Sequence, residues 1–116
     1  MAAIQVYGMN PLEGEISVQG SKNGALPIMA GALLHKGTTV LYNVPDIEDT
    51  RCMTDILREI GCRCEKTGSR LVIDAAFVDR TEVPGKYVKA MRSSIILLGA
   101  LLGRMKEGRC SFPGGC

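Results

Sequence analysis

A chain of 116 residues with 46 % hydrophobic and 22 % charged residues has the composition of one packed domain, which excludes a disordered tail. The net charge of +2 is spread along the chain, so it indicates no nucleic-acid surface. Two long uncharged stretches, Gly24–Leu34 and Ser93–Gly103, have eleven residues each, whereas a membrane span needs about 20 apolar residues. We therefore expect no nucleic-acid partner and no membrane.

The first predicted elements are strands. Ile4–Tyr7 and Glu15–Gln19 alternate apolar and polar residues, as half-buried strands do. Gly20-Ser21 ends this pattern, and a buried helix is predicted over Asn23–Leu34 with Ser21 as its N-cap. The next segment, Thr38–Asn43, is rich in β-branched and aromatic residues and is predicted as a strand.

A second helix is predicted over Ile47–Ile60, because four apolar residues share one of its faces: Met53, Ile56, Leu57 and Ile60. Gly61 ends it. Arg63–Lys66 and Arg70–Ile73 are predicted as short strands of a hairpin that turns around Thr67-Gly68. The remaining predicted elements are a helix from about Tyr87 to Met105 and a strand at Arg109–Phe112.

One segment of the chain is repeated. Gly31-Ala32-Leu33-Leu34 returns as Gly99-Ala100-Leu101-Leu102, and Pro45 returns as Pro113, both displaced by 68 residues. Each copy has the pattern of a buried helix, a glycine, a strand and a proline. We therefore predict an α/β (α+β) fold with one β-α-β-α-β-β unit of about seventy residues and part of a second, at the front of a longer polypeptide.

Cysteine is the one unusual component, since five cysteines cannot all pair within the chain: Cys52, Cys62, Cys64, Cys110 and Cys116. Met1–Gly8 has no export signal, so we expect free thiols in a cytoplasmic protein. The spacing of Cys62 and Cys64 is wrong for a zinc knuckle, and we expect no metal site. The simplest interpretation of the cysteines is that they are small buried hydrophobes.

Lys22 and Asn23 are candidates for binding an anion. Gly20-Ser21-Lys22-Asn23 follows a predicted strand and begins a predicted helix. Helix N-termini attract anions, and a lysine there adds a full charge. Lys22 is therefore a candidate phosphate or carboxylate ligand with Asn23 as a hydrogen-bonding partner, and the alternative is a solvated surface lysine.

Two further residues are candidates for chemistry. Arg92, in Lys89-Ala90-Met91-Arg92-Ser93-Ser94, opposes the dipole of its predicted helix, which suggests an anionic partner such as a diphosphate. A surface arginine paired with a carboxylate is the alternative. Cys116 follows Pro113-Gly114-Gly115, whose backbone freedom indicates an exposed thiol that could serve as an acid or nucleophile. The alternative there is an incidental cysteine in a turn.

Together these motifs resemble the UDP-N-acetylglucosamine 1-carboxyvinyltransferase (enolpyruvyl transferase) family. The matching stretches are Gly20–Ile28, Lys89–Ile95 and Ser111–Cys116, and Asn43-Val44-Pro45 agrees as well. The likeness covers the whole chain but only the first quarter or so of the family's length. It implies an inside-out α/β barrel of two domains built from β-α-β-α-β-β repeats. Residues 1–21 would belong to the far, C-terminal domain, and residues 22–116 would form the first part of the N-terminal catalytic domain.

The resemblance also implies roles for these residues. Lys22 and Asn23 would contact phosphoenolpyruvate, and Arg92 would contact the UDP-sugar. Cys116 would donate a proton, form a covalent adduct with phosphoenolpyruvate and be alkylated by fosfomycin. The implied reaction transfers the enolpyruvyl group to the 3-hydroxyl of UDP-N-acetylglucosamine and releases phosphate, without a cofactor or a metal. It is the first committed step of peptidoglycan synthesis, and therefore serves cell wall biogenesis, cell shape and cell division.

In relatives, the base that deprotonates the sugar is a carboxylate beyond the position of residue 116, so we expect the isolated chain to be inactive. Three other functions remain open. The chain could be a phosphate-binding module that uses Lys22 without a reaction, or a redox or metal protein that uses its cysteines. It could also be the shikimate-pathway sister enzyme, which shares the repeat fold but lacks Cys116 and differs around Lys22.

Overall fold

The computed structural model describes residues 2–83, 85–90 and 96–109 of the chain. Its elements in chain order are α1 (Lys22–Gly31), a 3₁₀ turn (Ala32–Leu34), β1 (Thr38–Leu41), α2 (Glu48–Glu59), β2 (Arg63–Thr67), β3 (Arg70–Asp74), α3 (Gly85–Ala90) and α4 (Ile96–Met105). Within those described ranges, none of the helices has both the length and the apolar character needed to cross a bilayer.

The three strands form one antiparallel sheet in the order β1-β3-β2. Alternate residues of β2 and β3 face the helices, and Cys64, Leu71 and Ile73 are buried in the common core. The predicted hairpin is confirmed: its turn contains Gly68 at φ 60°, a conformation that glycine adopts without a steric penalty. Helices packed against an antiparallel sheet make this an α+β fold.

The predicted second helix is confirmed as α2, with Ile47 and Ile60 as its caps. All four residues of the predicted apolar stripe have 0 % exposure: Met53, Ile56, Leu57 and Ile60. Burial of a large apolar side chain contributes roughly 1.5–3 kcal/mol, so this stripe anchors α2 in the core. Gly61 ends the helix at φ 118°, where a side chain would also meet the loop at Phe77.

The first helix also forms where it is predicted, with one difference at its end. Ser21 is the N-cap, and its hydroxyl accepts a hydrogen bond from the Gly24 N–H at 3.2 Å. The α-helix stops at Gly31, and the last predicted residues tighten into the 3₁₀ turn. Pro27 lies inside α1 and has no N–H to donate to the Asn23 carbonyl.

The repeated segment has the same pattern of burial in both copies. Ala32 and Ala100 are 5 % and 8 % exposed, Leu33 and Leu101 are both fully buried, and Leu34 and Leu102 are 59 % and 50 % exposed. The second copy lies in α4, which packs against α1 and the 3₁₀ turn. Equivalent positions therefore occupy equivalent environments.

The predicted helix Tyr87–Met105 is present as α3 and α4, and residues 91–95 between them lie outside the described residues. At the predicted strand Arg109–Phe112, Arg109 forms an isolated parallel bridge with Glu82. Residues 110–112 also lie outside the described residues.

The prediction of two N-terminal strands, Ile4–Tyr7 and Glu15–Gln19, is wrong for the structure, because residues 2–20 contain no strand. The side chains of Ile4, Val6, Ile16 and Val18 are between 81 % and 93 % exposed. A strand persists only when a neighbour accepts and donates its main-chain hydrogen bonds. No strand within the described residues lies beside this segment.

Candidate anion site at the start of the first helix

The start of α1 lies directly against the chain that leaves β1. A methyl group added to Gly20 would overlap the carbonyl oxygen of Asn43, so glycine is needed for this close approach. Asn43 itself adopts a left-handed conformation at φ 58°, which asparagine tolerates better than most residues. This contact fixes where α1 begins relative to the sheet.

The segment Asn43-Val44-Pro45 is in turn held by the hairpin and by α2. The Val44 N–H donates to the Ser69 carbonyl at 2.8 Å. The Thr50 hydroxyl donates to the Pro45 carbonyl at 2.7 Å and accepts from the Ile47 N–H at 3.3 Å. The first turns of α1 and α2 are therefore both fixed to the same short segment.

Lys22 and Asp49 meet at these two helix starts. The Lys22 Nζ lies 3.3 Å from the Asp49 Oδ2, and the side chains are 49 % and 32 % exposed. The N–H groups of Lys22 and Asn23 have no intrahelical partner, because they belong to the first turn of α1. A reachable ammonium beside unbonded helix N–H groups is an arrangement that attracts a phosphate or a carboxylate.

A shallow cavity of about 250 Å³ adjoins this site. It is lined by residues from the start of α1 and from the chain that leaves β1: Gly20, Ser21, Gly24, Ala25, Ile28, Leu41, Tyr42, Asn43 and Val44. No charged side chain of the described residues lines it, and Lys22 is not among its lining residues, so the cavity adds no charged ligand to the site.

A second cavity, of about 280 Å³, contains more cations, but the structure pairs them with carboxylates. Arg51 lies 2.8 Å and Lys66 lies 3.5 Å from Asp46 Oδ1, while Arg58 lies 3.6 Å from Asp55 Oδ1. The hydrogen bond from Arg51 lowers the pKa of Asp46, which therefore stays ionised and keeps its partners. We regard this cluster as a solvated ion-pair network.

The described cysteines are unsuited to catalysis. Burial raises the pKa of Cys62 to about 12 and that of Cys64 to about 11, so both are protonated at neutral pH. Burial also raises the pKa of the Cys52 thiol, and all three are free. Within residues 2–83, 85–90 and 96–109, no three His, Cys, Asp or Glu side chains are grouped closely enough to hold a metal ion.

Of the four site residues named from the sequence, the structure describes two. Lys22 and Asn23 lie in the first turn of α1, as predicted. Arg92 and Cys116 lie outside the described residues, so their roles stay predictions. The sequence did not indicate Asp49, whose only local signal is an acidic residue in the first turn of a predicted helix.

Sequence comparison relates the chain to known enzymes over nearly its whole length. The profile of the EPSP synthase (3-phosphoshikimate 1-carboxyvinyltransferase) family matches residues 6–116. The UDP-N-acetylglucosamine 1-carboxyvinyltransferase 2 of Caldanaerobacter subterraneus is 42 % identical over all 116 residues. The UDP-N-acetylglucosamine 1-carboxyvinyltransferase of Desulfatibacillum aliphaticivorans is 43 % identical over the same length. The chain spans 28 % of each of these relatives.

Structural comparison agrees. The crystal structure of the enolpyruvyl transferase NikO from Streptomyces tendae superimposes with a TM-score of 0.74 at 30 % identity. That match covers 82 % of this chain and 22 % of the NikO chain. The resemblance suggested by the motifs around Lys22, Arg92 and Cys116 is thus confirmed by relatives that carry the expected name. The chain belongs to the EPSP synthase (3-phosphoshikimate 1-carboxyvinyltransferase) family.

Proposed function

We propose that the polypeptide containing this chain transfers the enolpyruvyl group of phosphoenolpyruvate to the 3-hydroxyl of UDP-N-acetylglucosamine and releases phosphate. The observation that carries this proposal is the identity of 42–43 % over all 116 residues with two enzymes named for that transfer. The lysine at the start of α1 supports it chemically, because both the substrate and the released product carry phosphate.

The reaction adds a proton and the sugar oxygen across the enol double bond and then eliminates phosphate. The Cys116 thiol donates a proton to C3 of phosphoenolpyruvate, and C2 gains oxocarbenium character. The sugar 3-hydroxyl forms a C–O bond to C2, and its proton passes to a base. The C2–O bond to phosphate then breaks while a proton passes from C3 to the Cys116 thiolate, which restores both the double bond in the product and the thiol.

Lys22 and Asn23 have the binding role in this proposal. Charge builds on the phosphate as its bond to C2 breaks, and the Lys22 ammonium balances it. Asn23 contributes a second polar contact from the same helix turn, and Arg92 contacts the UDP-sugar through its forked guanidinium. The base lies on a part of the polypeptide beyond this chain, so the isolated 116 residues do not complete the reaction.

We further propose the two-domain architecture of the family for the whole polypeptide. Residues 1–21 join the far domain, and residues 22–116 begin the catalytic domain of an inside-out α/β barrel. The exposed apolar side chains in residues 2–20 support the first assignment, since another sheet would cover them. In the cell, the transferase serves peptidoglycan synthesis in the cytoplasm and is a target of fosfomycin at Cys116.

A second candidate function is enolpyruvyl transfer to shikimate 3-phosphate. It is favoured by the match to the EPSP synthase family, which is named for that reaction. A test of the full-length polypeptide with each acceptor separates the two. We expect phosphate release from phosphoenolpyruvate with UDP-N-acetylglucosamine and none with shikimate 3-phosphate. The opposite acceptor preference would establish the second candidate, and phosphate release by the isolated chain would refute its expected inactivity.

The thiol is tested by two substitutions in the full-length polypeptide. Cys116→Ala should abolish turnover because no acid remains at that position, whereas Cys116→Asp should retain some activity because a carboxylic acid can also protonate C3. Mass mapping after fosfomycin treatment with UDP-N-acetylglucosamine should find modification only at Cys116. Full activity of Cys116→Ala would remove this residue from the mechanism. A wild-type polypeptide without any turnover would instead favour a phosphate-binding module.

A further inference from the structure

Asp49 is the acidic side chain that the structure places against Lys22. The Lys22 Nζ and the Asp49 Oδ2 are 3.3 Å apart, and Asp49 is the less exposed of the pair. Within the described part of the chain, no other carboxylate lies within ion-pair distance of Lys22, and no other cation pairs with Asp49.

The helix dipoles have opposite effects on the two charges. Asp49 lies in the first turn of α2, where a carboxylate is stabilised by the helix dipole. Lys22 lies in the first turn of α1, where the dipole opposes a cation. Asp49 therefore compensates for the unfavourable location of Lys22 and keeps the ammonium at the start of α1.

The carboxylate is held on a rigid part of the fold. The stripe of α2 that includes Met53 and Ile56 is fully buried, and the Thr50 hydroxyl ties the first turn to the Pro45 carbonyl. The same segment contacts Gly20, just before α1. The spacing between Asp49 and the start of α1 is therefore set by the core, whereas the four-carbon stem of Lys22 is flexible on its own.

We propose that Asp49 is a positioning residue: it orients the Lys22 ammonium for the phosphate of phosphoenolpyruvate without touching the substrate. This inference rests on the proposed function. An ammonium group has three N–H donors, so one can bond Asp49 while two remain for phosphate oxygens. Asp49 thus fixes the lysine without using up its binding capacity.

The test is a double-mutant cycle in the full-length polypeptide, with Asp49→Asn and Lys22→Gln made singly and together. An assay with radiolabelled phosphoenolpyruvate and UDP-N-acetylglucosamine makes the low rates of slow variants measurable. We expect Asp49→Asn to lower kcat/KM about tenfold when Lys22 is present and less than about twofold in the Lys22→Gln background. Asp49→Glu should recover part of the loss. Equal losses in the two backgrounds would overturn the proposal.

Asp55→Asn is the matched control, because Asp55 is on the same helix and forms an exposed pair with Arg58 at 3.6 Å. We expect its kcat/KM to equal that of the wild type, and a tenfold loss there would assign the effect to α2 in general rather than to Asp49.

Failure of the proposed function and failure of this inference give different results. A wild-type polypeptide that transfers no enolpyruvyl group overturns both. An active wild type in which the effects of the two substitutions are additive overturns the inference alone.

Discussion

Ser21 determines where the first helix starts and hence where the charge of Lys22 lies. The Ser21 hydroxyl caps the Gly24 N–H, and the preceding Gly20 passes against the Asn43 carbonyl. The cap is local, so it could be predicted from the small residues before the helix, whereas the approach of Gly20 to Asn43 depends on how the chain folds. A helix start that is capped and sterically fixed gives the anion site a defined position.

We expect Ser21→Ala to lower the free energy of unfolding by about 1 kcal/mol, because the Gly24 N–H loses its acceptor. Ser21→Thr should keep most of the stability because its hydroxyl can still cap the helix. Urea unfolding of the chain measures the difference. Ser69→Ala, at an exposed serine of the hairpin turn, is the control and should change little. A loss no larger than that of the control would mean that the cap contributes nothing.

The sequence predicted the location of Lys22 but not its contact with Asp49. Lys22 was recognisable because the turn and the helix start that surround it are adjacent in sequence. Asp49 comes next to it only through the packing of α1 against α2, which follows from the buried faces of the two helices. A single sequence contains no direct signal for a contact of that kind.

Among the elements, α4 is attached to the rest of the fold by hydrogen bonds from one side chain as well as by its buried residues Leu97 and Leu101. The Arg104 guanidinium donates to the carbonyls of Leu33, Ala75 and Ala76. These carbonyls belong to the 3₁₀ turn and to the chain that leaves β3, so Arg104 joins three parts of the structure. Its buried Nε has no partner among the described residues.

Arg104→Met should lower the free energy of unfolding by about 3 kcal/mol, because half-buried carbonyls would lose their donors. The matched control is Arg80→Met, since Arg80 forms an exposed pair with Glu59 at 3.6 Å and should contribute less than about 1 kcal/mol. Urea unfolding compares the two variants. Equal effects would show that the carbonyl contacts of Arg104 do not stabilise the fold.

Elements defined by their own periodicity were predicted well. The helix expected over Ile47–Ile60 differs from α2 by one residue at each end, and both strands of the hairpin are one residue longer than predicted. The strands expected in residues 2–20 failed for a different reason. Alternation records which side chains can be buried, but a strand also needs a partner, and residues 2–20 have none within the described part of the chain.

For the molecule as a whole, the core is a single cluster that joins the two copies of the repeat. Leu33 of the first copy and Leu101 of the second are both fully buried within it. The repeated motif predicted two similar buried segments, and the structure adds that both lie in one core.

The same core makes stability depend on pH. Burial raises the pKa of Cys62 from its ordinary 9.0 to about 12 and that of Cys64 to about 11. Below pH 9 both thiols are protonated in the folded and unfolded chains, so their contribution is fully present. Above pH 9 the unfolded chain releases protons first, and we expect the free energy of unfolding to fall until the folded-state pKa values are reached.

Urea unfolding at pH 8, 9 and 10 under reducing conditions measures this dependence. The control is the double variant Cys62→Ala and Cys64→Val, whose stability should fall less steeply over the same range. Parallel curves for the two proteins would show that the buried thiols do not cause the decline.

The parallel bridge between Glu82 and Arg109 has a consequence for the chain between them. The Arg109 N–H donates to the Thr81 carbonyl at 2.7 Å, and the Val83 N–H donates to the Arg109 carbonyl at 2.8 Å. These two bonds join the ends of the segment between Glu82 and Arg109, which contains α3 and α4. Because its ends are joined, folding of the segment between Glu82 and Arg109 includes the entropic cost of closing this loop. The amide protons of Val83 and Arg109 should therefore exchange with solvent together when these hydrogen bonds break.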